Sequence, residues 1–228
     1  MTITIGRRTI ILLLLLALLV VAGLFTYSRM MGGTNAAIRH AEAFIFRRMT
    51  VNQLADDGSY RFFYATNRAQ NEDGERGSRR EAGLQFGQFD SEVQPTLGLG
   101  MLINPTEWFQ NEEINLTGSD SLSRDELATV LRKQVAESPH RGLLVVIHGF
   151  REAFPSALRK TVFISHVLDL DAPVLLFDWP GNQGSSLRGY QRARRVADES
   201  GAELAELLQF IHDDVAPDSL WVLANSLG

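Results

Sequence analysis

Three short apolar runs constrain this chain most. Leu143 to Ile147, Pro173 to Phe177 and Leu220 to Ala224 contain no charged residue. Two stretches of helical periodicity separate them. Pro155 to Leu170 sets Leu158, Val162, Val167 and Leu168 on one side, and Ala197 to Val215 does the same with Leu204, Leu207, Leu208, Ile211 and Val215. A run apolar at every position reads as a strand buried on both faces, and alternation with helices supplies the cover on both faces. The expected fold is therefore α/β, a mostly parallel sheet with helices on both sides.

In such a sheet, chemistry collects at the carboxyl ends of the strands. The three runs lead into His148-Gly149-Phe150, Asp178-Trp179-Pro180 and Asn225-Ser226-Leu227. Each tripeptide alone is an ordinary turn. Their order, with one βα unit between successive members, is far more specific. Ala224-Asn225-Ser226-Leu227-Gly228 fits small-x-Ser-x-Gly, a strand-to-helix turn tight enough to demand small residues on either side of an exposed serine. Ser226 is the expected nucleophile on an acyl carbonyl, with Ala224 and Gly228 as the elbow's small positions. The backbone N–H groups of Phe150 and Leu227 are the expected oxyanion hole. Gly149 permits close backbone approach, and His148 supports the loop. His148 precedes the nucleophile, whereas the order in this kind of enzyme is Ser, then acid, then His, so it is not the expected base. Asp178 reads as a structural or pocket-wall residue, and His166 and His212 as helix packing or surface residues.

Upstream, Tyr60 to Thr66 is an aromatic strand, followed by a polar loop, Asn67 to Arg80, with seven charges. Leu84 to Phe89 and Leu97 to Ile103 are two further strand candidates, the second stopped by Asn104-Pro105. Ser123 and Glu126 form a capping box ahead of a helix over 123–136, with Leu127, Val130, Leu131 and Val135 inward.

The N-terminus reads as a targeting segment. Arg7 and Arg8 precede Thr9 to Phe25, seventeen uncharged and mainly aliphatic residues. That is long for a signal-peptide core and near the lower limit for a membrane span. The expected arrangement is a signal anchor over 1–28, a juxtamembrane linker over 29–59, the first part of the hydrolase region over 60–142 and its core over 143–228. Positive charge on the N-terminal side puts the body on the extracytoplasmic side. Cleavage after Val20-Val21-Ala22 is the alternative and makes the protein secreted. Residues 1–48 carry six Arg and one Glu, leaving a net −10 on the rest, so no nucleic-acid partner is expected. There is no cysteine, which excludes disulfides and a thiol nucleophile. No metal or other cofactor is expected.

Tyr64-Ala65-Thr66-Asn67-Arg68, Val146-Ile147-His148-Gly149-Phe150, Phe177-Asp178-Trp179-Pro180-Gly181, Gly189-Tyr190 and Ala224-Asn225-Ser226-Leu227-Gly228 together resemble a bacterial α/β-hydrolase family catalogued as a domain of unknown function. Its pattern runs YAT-D/N-R, HG-F/Y, F-x-WP and H-S-M-G. Here Asn225 and Leu227 stand where His and Met are commoner. The resemblance implies an esterase- or lipase-like hydrolase of small acyl esters, often exported or tethered to a membrane. Catalytic acid and histidine follow the elbow in that pattern, so the chain is expected to be an incomplete α/β-hydrolase cut at the nucleophile. The alternatives are an inactive envelope binding or scaffold module and a serine-dependent acyltransferase.

Overall fold

Burying the apolar runs builds a seven-stranded mixed sheet. The computed structural model describes residues 20–22, 49–55, 58–93 and 114–228. In chain order the elements are β1 (Gln53–Ala55), β2 (Ser59–Gln70), β3 (Arg76–Val93), β4 (Ile114–Leu122), α1 (Arg124–Glu137), β5 (Gly142–Ile147), α2 (Phe154–Leu168), β6 (Val174–Asp178), α3 (Leu187–Phe210) and β7 (Ser219–Ala224). The strand order is β4-β3-β2-β6-β5-β7, with β1 beside the start of β2. Strands β2, β6, β5 and β7 are parallel, and β1, β3 and β4 are antiparallel to their neighbours. Two compact units divide the chain, Met1–Ile45 and Phe46–Gly228, and the sheet lies in the second.

Side chains alternate across the sheet with period two, so it carries a core on each face. Leu143, Val145, Ile147, Leu175, Phe177 and Phe63 join Leu127, Leu131, Leu207 and Phe210 of α1 and α3. Leu144, Val146, Val174, Leu176, Phe62 and Tyr64 meet Ala157, Leu158 and Val162 of α2. Both halves of the expected capping box form at α1: the Ser123 hydroxyl accepts from the Glu126 amide and the Glu126 carboxylate accepts from the Ser123 amide.

Several expectations shift. The polar stretch Asn67 to Arg80 is mostly strand, because β2 and β3 form one long hairpin that turns only at Asn71–Glu75. The arginines that suggested a loop pair across it, Arg68 opposite Arg80 and Gln70 opposite Arg76. Helix α3 begins ten residues earlier than its apolar pattern suggested. Ser186 caps it by accepting from the Gly189 amide. Gly189, which weakens the helical signal, is required there because a Cβ would lie 2.2 Å from the Gly184 carbonyl oxygen. Val167 and Leu168, expected in the core, are 56% and 47% exposed, since α2 turns off the sheet at Asp169 in left-handed backbone. Strand β7, expected to be buried, alternates between half-buried and exposed, with Leu220 and Val222 exposed. Among the described residues it pairs on one side only, with β5.

Strands β1 and β4 were not anticipated, being respectively three residues long and rich in polar residues. The strand expected at Leu97 to Ile103 lies outside the described residues. So does the apolar span Thr9 to Phe25, apart from Val20–Ala22, which are helical and exposed. Among the described residues no helix is long and apolar enough to cross a membrane.

After α3 the chain makes a π-helical turn, Ile211–Val215, closed by Ala216 at φ +49 and ψ +56, whose amide donates to the Ile211 carbonyl. Left-handed backbone costs a residue with a Cβ roughly 1–2 kcal/mol. Glycine's greater freedom in the unfolded chain costs roughly 0.5–1 kcal/mol. Ala216→Gly is therefore expected to stabilise the fold by about 0.5 kcal/mol, read as a higher urea midpoint at unchanged m-value. A lower midpoint would contradict this account of the turn.

Candidate active site

The four parallel strands end at one level. Ala65, Phe177, Ile147 and Ala224 form a register row across β2, β6, β5 and β7. The His148, Asp178 and Ser226 segments therefore leave the sheet side by side, as their sequence order anticipated.

At the end of β7 the chain turns sharply. The Asn225 amide donates to the Ile147 carbonyl at 3.0 Å, and the Gly228 amide donates to the Asn225 carbonyl at 2.9 Å. Between them Ser226 adopts φ +57, which is left-handed backbone on a residue with a Cβ. Such strain costs on the order of 1–3 kcal/mol and gathers at functional turns. Two glycines make room for it. A Cβ on Gly149 would lie 2.7 Å from the Asn225 carbonyl oxygen and 2.8 Å from Ser226 Cβ, and one on Gly228 would lie 2.8 Å from the Ile147 carbonyl oxygen. The loop after β5 and the turn after β7 are thus in backbone contact. Ala224 and Ser226 are exposed.

Phe150 and Leu227 flank this contact and both pack against the α1/α3 core. The Phe150 ring meets Tyr190 of α3 edge-on at 5.3 Å. Among the described residues the amides of Phe150 and Leu227 donate no hydrogen bond. A crevice of about 40 Å³ lies behind Leu227 and Gly228, bounded by Trp179 and Leu204.

His148 faces the other way, into the protein. Its ring is buried and stacks on Trp179, with centroids 5.5 Å apart and planes within 4°. Nδ1 lies 3.0 Å from the Gly149 carbonyl oxygen, and Nε2 lies 3.0 Å from Asp178 Oδ1 and 3.1 Å from the Trp179 amide nitrogen. The Trp179 indole N–H donates to the His148 carbonyl at 2.9 Å. Among the described residues no histidine or carboxylate hydrogen-bonds Ser226, and no group of His, Asp and Glu has the makings of a metal site.

The residues missed as functional candidates lie at the end of β2. Thr66 donates to Asp178 Oδ2 at 2.5 Å. Arg68, fully buried, spends its whole guanidinium on this edge. Its Nε pairs with Asp178 at 2.7 Å. Nη1 donates to the Gly77 carbonyl and to Asn182 Oδ1, and Nη2 to the carbonyls of Glu152 and Trp179. One side chain therefore ties together β3, the loop after β5 and the loop after β6. The signal was present: a polar Thr-Asn-Arg at the inner end of an otherwise apolar aromatic strand. Neighbouring Asn67 donates to Ser200 and Glu203 of α3, and Glu203 pairs with Arg80.

Burial alone would raise the Asp178 pKa, but the Arg68 charge and the hydrogen bond to His148 outweigh it and bring it to about 2, below its ordinary 3.8. A carboxylate depressed in the folded state binds protons more readily when unfolded. It contributes stability that is complete above about pH 4 and is lost as pH falls toward 2. Asp178→Asn is expected to flatten the acid limb in that window, as measured by urea unfolding at pH 4, 3 and 2. An unchanged limb would mean that other carboxylates carry it.

Residues 123–228 match a family described as an alpha/beta hydrolase of unknown function (DUF900). The match covers 106 of the 228 residues, begins at the N-cap of α1 and includes all three loops of this edge. No curated protein and no solved structure matches the chain significantly. The mixed sheet with its parallel centre and flanking helices agrees with an α/β-hydrolase fold, and that similarity suggests hydrolase activity.

Proposed function

We propose that this protein is a serine hydrolase of acyl esters, with Ser226 as nucleophile and the backbone amides of Phe150 and Leu227 as oxyanion hole. One observation carries the reading: Ser226 sits exposed in left-handed backbone at the carboxyl end of a parallel strand, against Gly149 of the neighbouring loop. Strain of this kind on a polar residue at a strand end is the hallmark of an activated nucleophile's turn.

The chemistry follows from these positions. Ser226 Oγ forms a bond to the acyl carbon as its proton leaves to a base, and the carbonyl electron pair moves to the oxygen held by the two amides. Collapse of that intermediate breaks the ester C–O bond and releases the alcohol, which takes up a proton. Water then attacks the acyl-serine and frees the acid. Each well-placed oxyanion donor is worth about 3–4 kcal/mol in the transition state. The base is not among the described residues that hydrogen-bond Ser226. The Arg7-Arg8 pair and the apolar stretch behind it support a tethered protein with its body on the extracytoplasmic side.

The test uses the protein expressed from its complete gene and a series of short acyl esters. Release of free acid is expected. Transfer of the acyl group to an added alcohol in preference to water would favour an acyltransferase instead, and no turnover of any ester would count against both.

A further inference from the structure

We infer that Arg68, near the end of β2, positions the oxyanion-hole amide of Phe150 through Asp178 and His148. The inference rests on the proposed role of that amide.

Its core is the rigidity of one peptide plane. The Gly149 carbonyl and the Phe150 N–H belong to the same peptide unit, which is trans, so fixing the oxygen aims the N–H in the opposite direction. The oxygen is fixed by His148 Nδ1 at 3.0 Å. A carbonyl can only accept, so this contact requires the proton on Nδ1. With the Gly149 oxygen held on the buried side, the Phe150 N–H points away from the His148 ring.

The ring's orientation is in turn fixed from behind. Its Nε2 meets both Asp178 Oδ1 and the Trp179 amide. When Nε2 carries a proton it donates to the carboxylate, and when it does not it accepts from the amide. The imidazole is held in both protonation states, with Trp179 stacked on its face. Asp178 is itself held by Arg68 and Thr66.

Arg68 also grips the two ends of the path. Through the Glu152 carbonyl it holds the far end of the oxyanion loop, and through the Trp179 carbonyl it holds the residue stacked on His148. Gly181 leaves no slack, since a Cβ there would lie 2.6 Å from the Gly149 oxygen. The Arg151 amide adds a bond of 2.9 Å to the Gly181 carbonyl. Only a planar fork with several fixed N–H directions can make these contacts at once, so lysine is not an equivalent.

The experiment compares Arg68→Lys with Val162→Ala, a core variant remote from this edge, in the protein from its complete gene. Both are measured under conditions where each is folded. Arg68→Lys is expected to lower kcat roughly tenfold to a hundredfold with little change in KM, and to weaken a tetrahedral boronate inhibitor by a similar factor. Val162→Ala should leave both unchanged. The Phe150 amide shift and hydrogen-exchange rate, followed by NMR, are expected to change only in Arg68→Lys. If the two variants lose activity alike, or if the Phe150 amide is undisturbed in Arg68→Lys, Arg68 is a stabilising residue only and the inference falls. If the parent protein hydrolyses no ester, the proposed function fails, while the Phe150 amide measurement still decides whether Arg68 positions that group.

Discussion

Ser226→Ala is expected to reduce ester turnover at least about 10⁴-fold while leaving the fold intact. Removing the nucleophile of a comparable serine enzyme removes nearly all that its catalytic group achieves, and a residue of catalysis survives from the oxyanion hole. Here that residue would come from the Phe150 and Leu227 amides, which the substitution does not touch. The folded state should tolerate alanine, because the Ser226 side chain is exposed and its left-handed backbone is strained already with a Cβ present. Ser226→Gly separates the two effects further. It should abolish turnover equally and raise stability, since glycine adopts φ +57 without the Cβ penalty. Hydrolysis that survives Ser226→Ala unchanged would refute the nucleophile assignment, whatever the stability result.

Arg68→Met is expected to cost about 3–5 kcal/mol, the usual consequence of leaving one member of a buried ion pair behind. Asp178 would then sit at zero exposure with only Thr66 and His148 as partners. The carbonyls of Gly77, Glu152 and Trp179 would each lose a donor in a site closed to water. A domain of this size has total stability on the order of 5–15 kcal/mol, so the variant would stand near the edge of folding at 37 °C. The double variant Arg68→Met with Asp178→Leu should recover part of the loss, because a pair replaced by apolar groups is far less costly than a pair broken. Chemical denaturation of the single and double variants checks this. A loss under 1 kcal/mol for Arg68→Met would mean that the network is not closed to solvent.

These effects explain why some of the fold was legible in the sequence and some was not. The apolar runs of β5 and of β6 as far as Phe177 declared themselves, because both faces of these strands are covered. So did α1, whose start is written in a local Ser-x-x-Glu box. The β2–β3 hairpin did not, because its far half is polar for reasons outside local periodicity. Arg68 is buried against two loops more than eighty residues downstream, and Arg80 is held by Glu203. Alternation could not distinguish such residues from a solvated loop. The start of α3 was hidden by Gly189, which serves a close contact with Gly184 rather than helix propensity.

The candidate site divides along the same line. The spacing of small residues around Ser226 and the glycine after His148 expressed a steric demand, and the structure meets it with backbone contacts under 3 Å between hypothetical Cβ atoms and the facing loop. The support behind the site was not readable that way. Asp178 read as a structural or pocket-wall residue, but nothing local named its partner, an arginine 110 positions earlier in the chain. Charge pairing across that distance leaves no local pattern.

The most direct test of the central claim is covalent. The protein expressed from its complete gene would be treated with a fluorophosphonate and its peptides mapped by mass spectrometry. The account predicts a single adduct on the peptide containing Asn225-Ser226-Leu227, prevented by prior incubation with a short acyl ester and absent in Ser226→Ala. An adduct on a different serine, or ester turnover that continues with Ser226 fully modified, would contradict it.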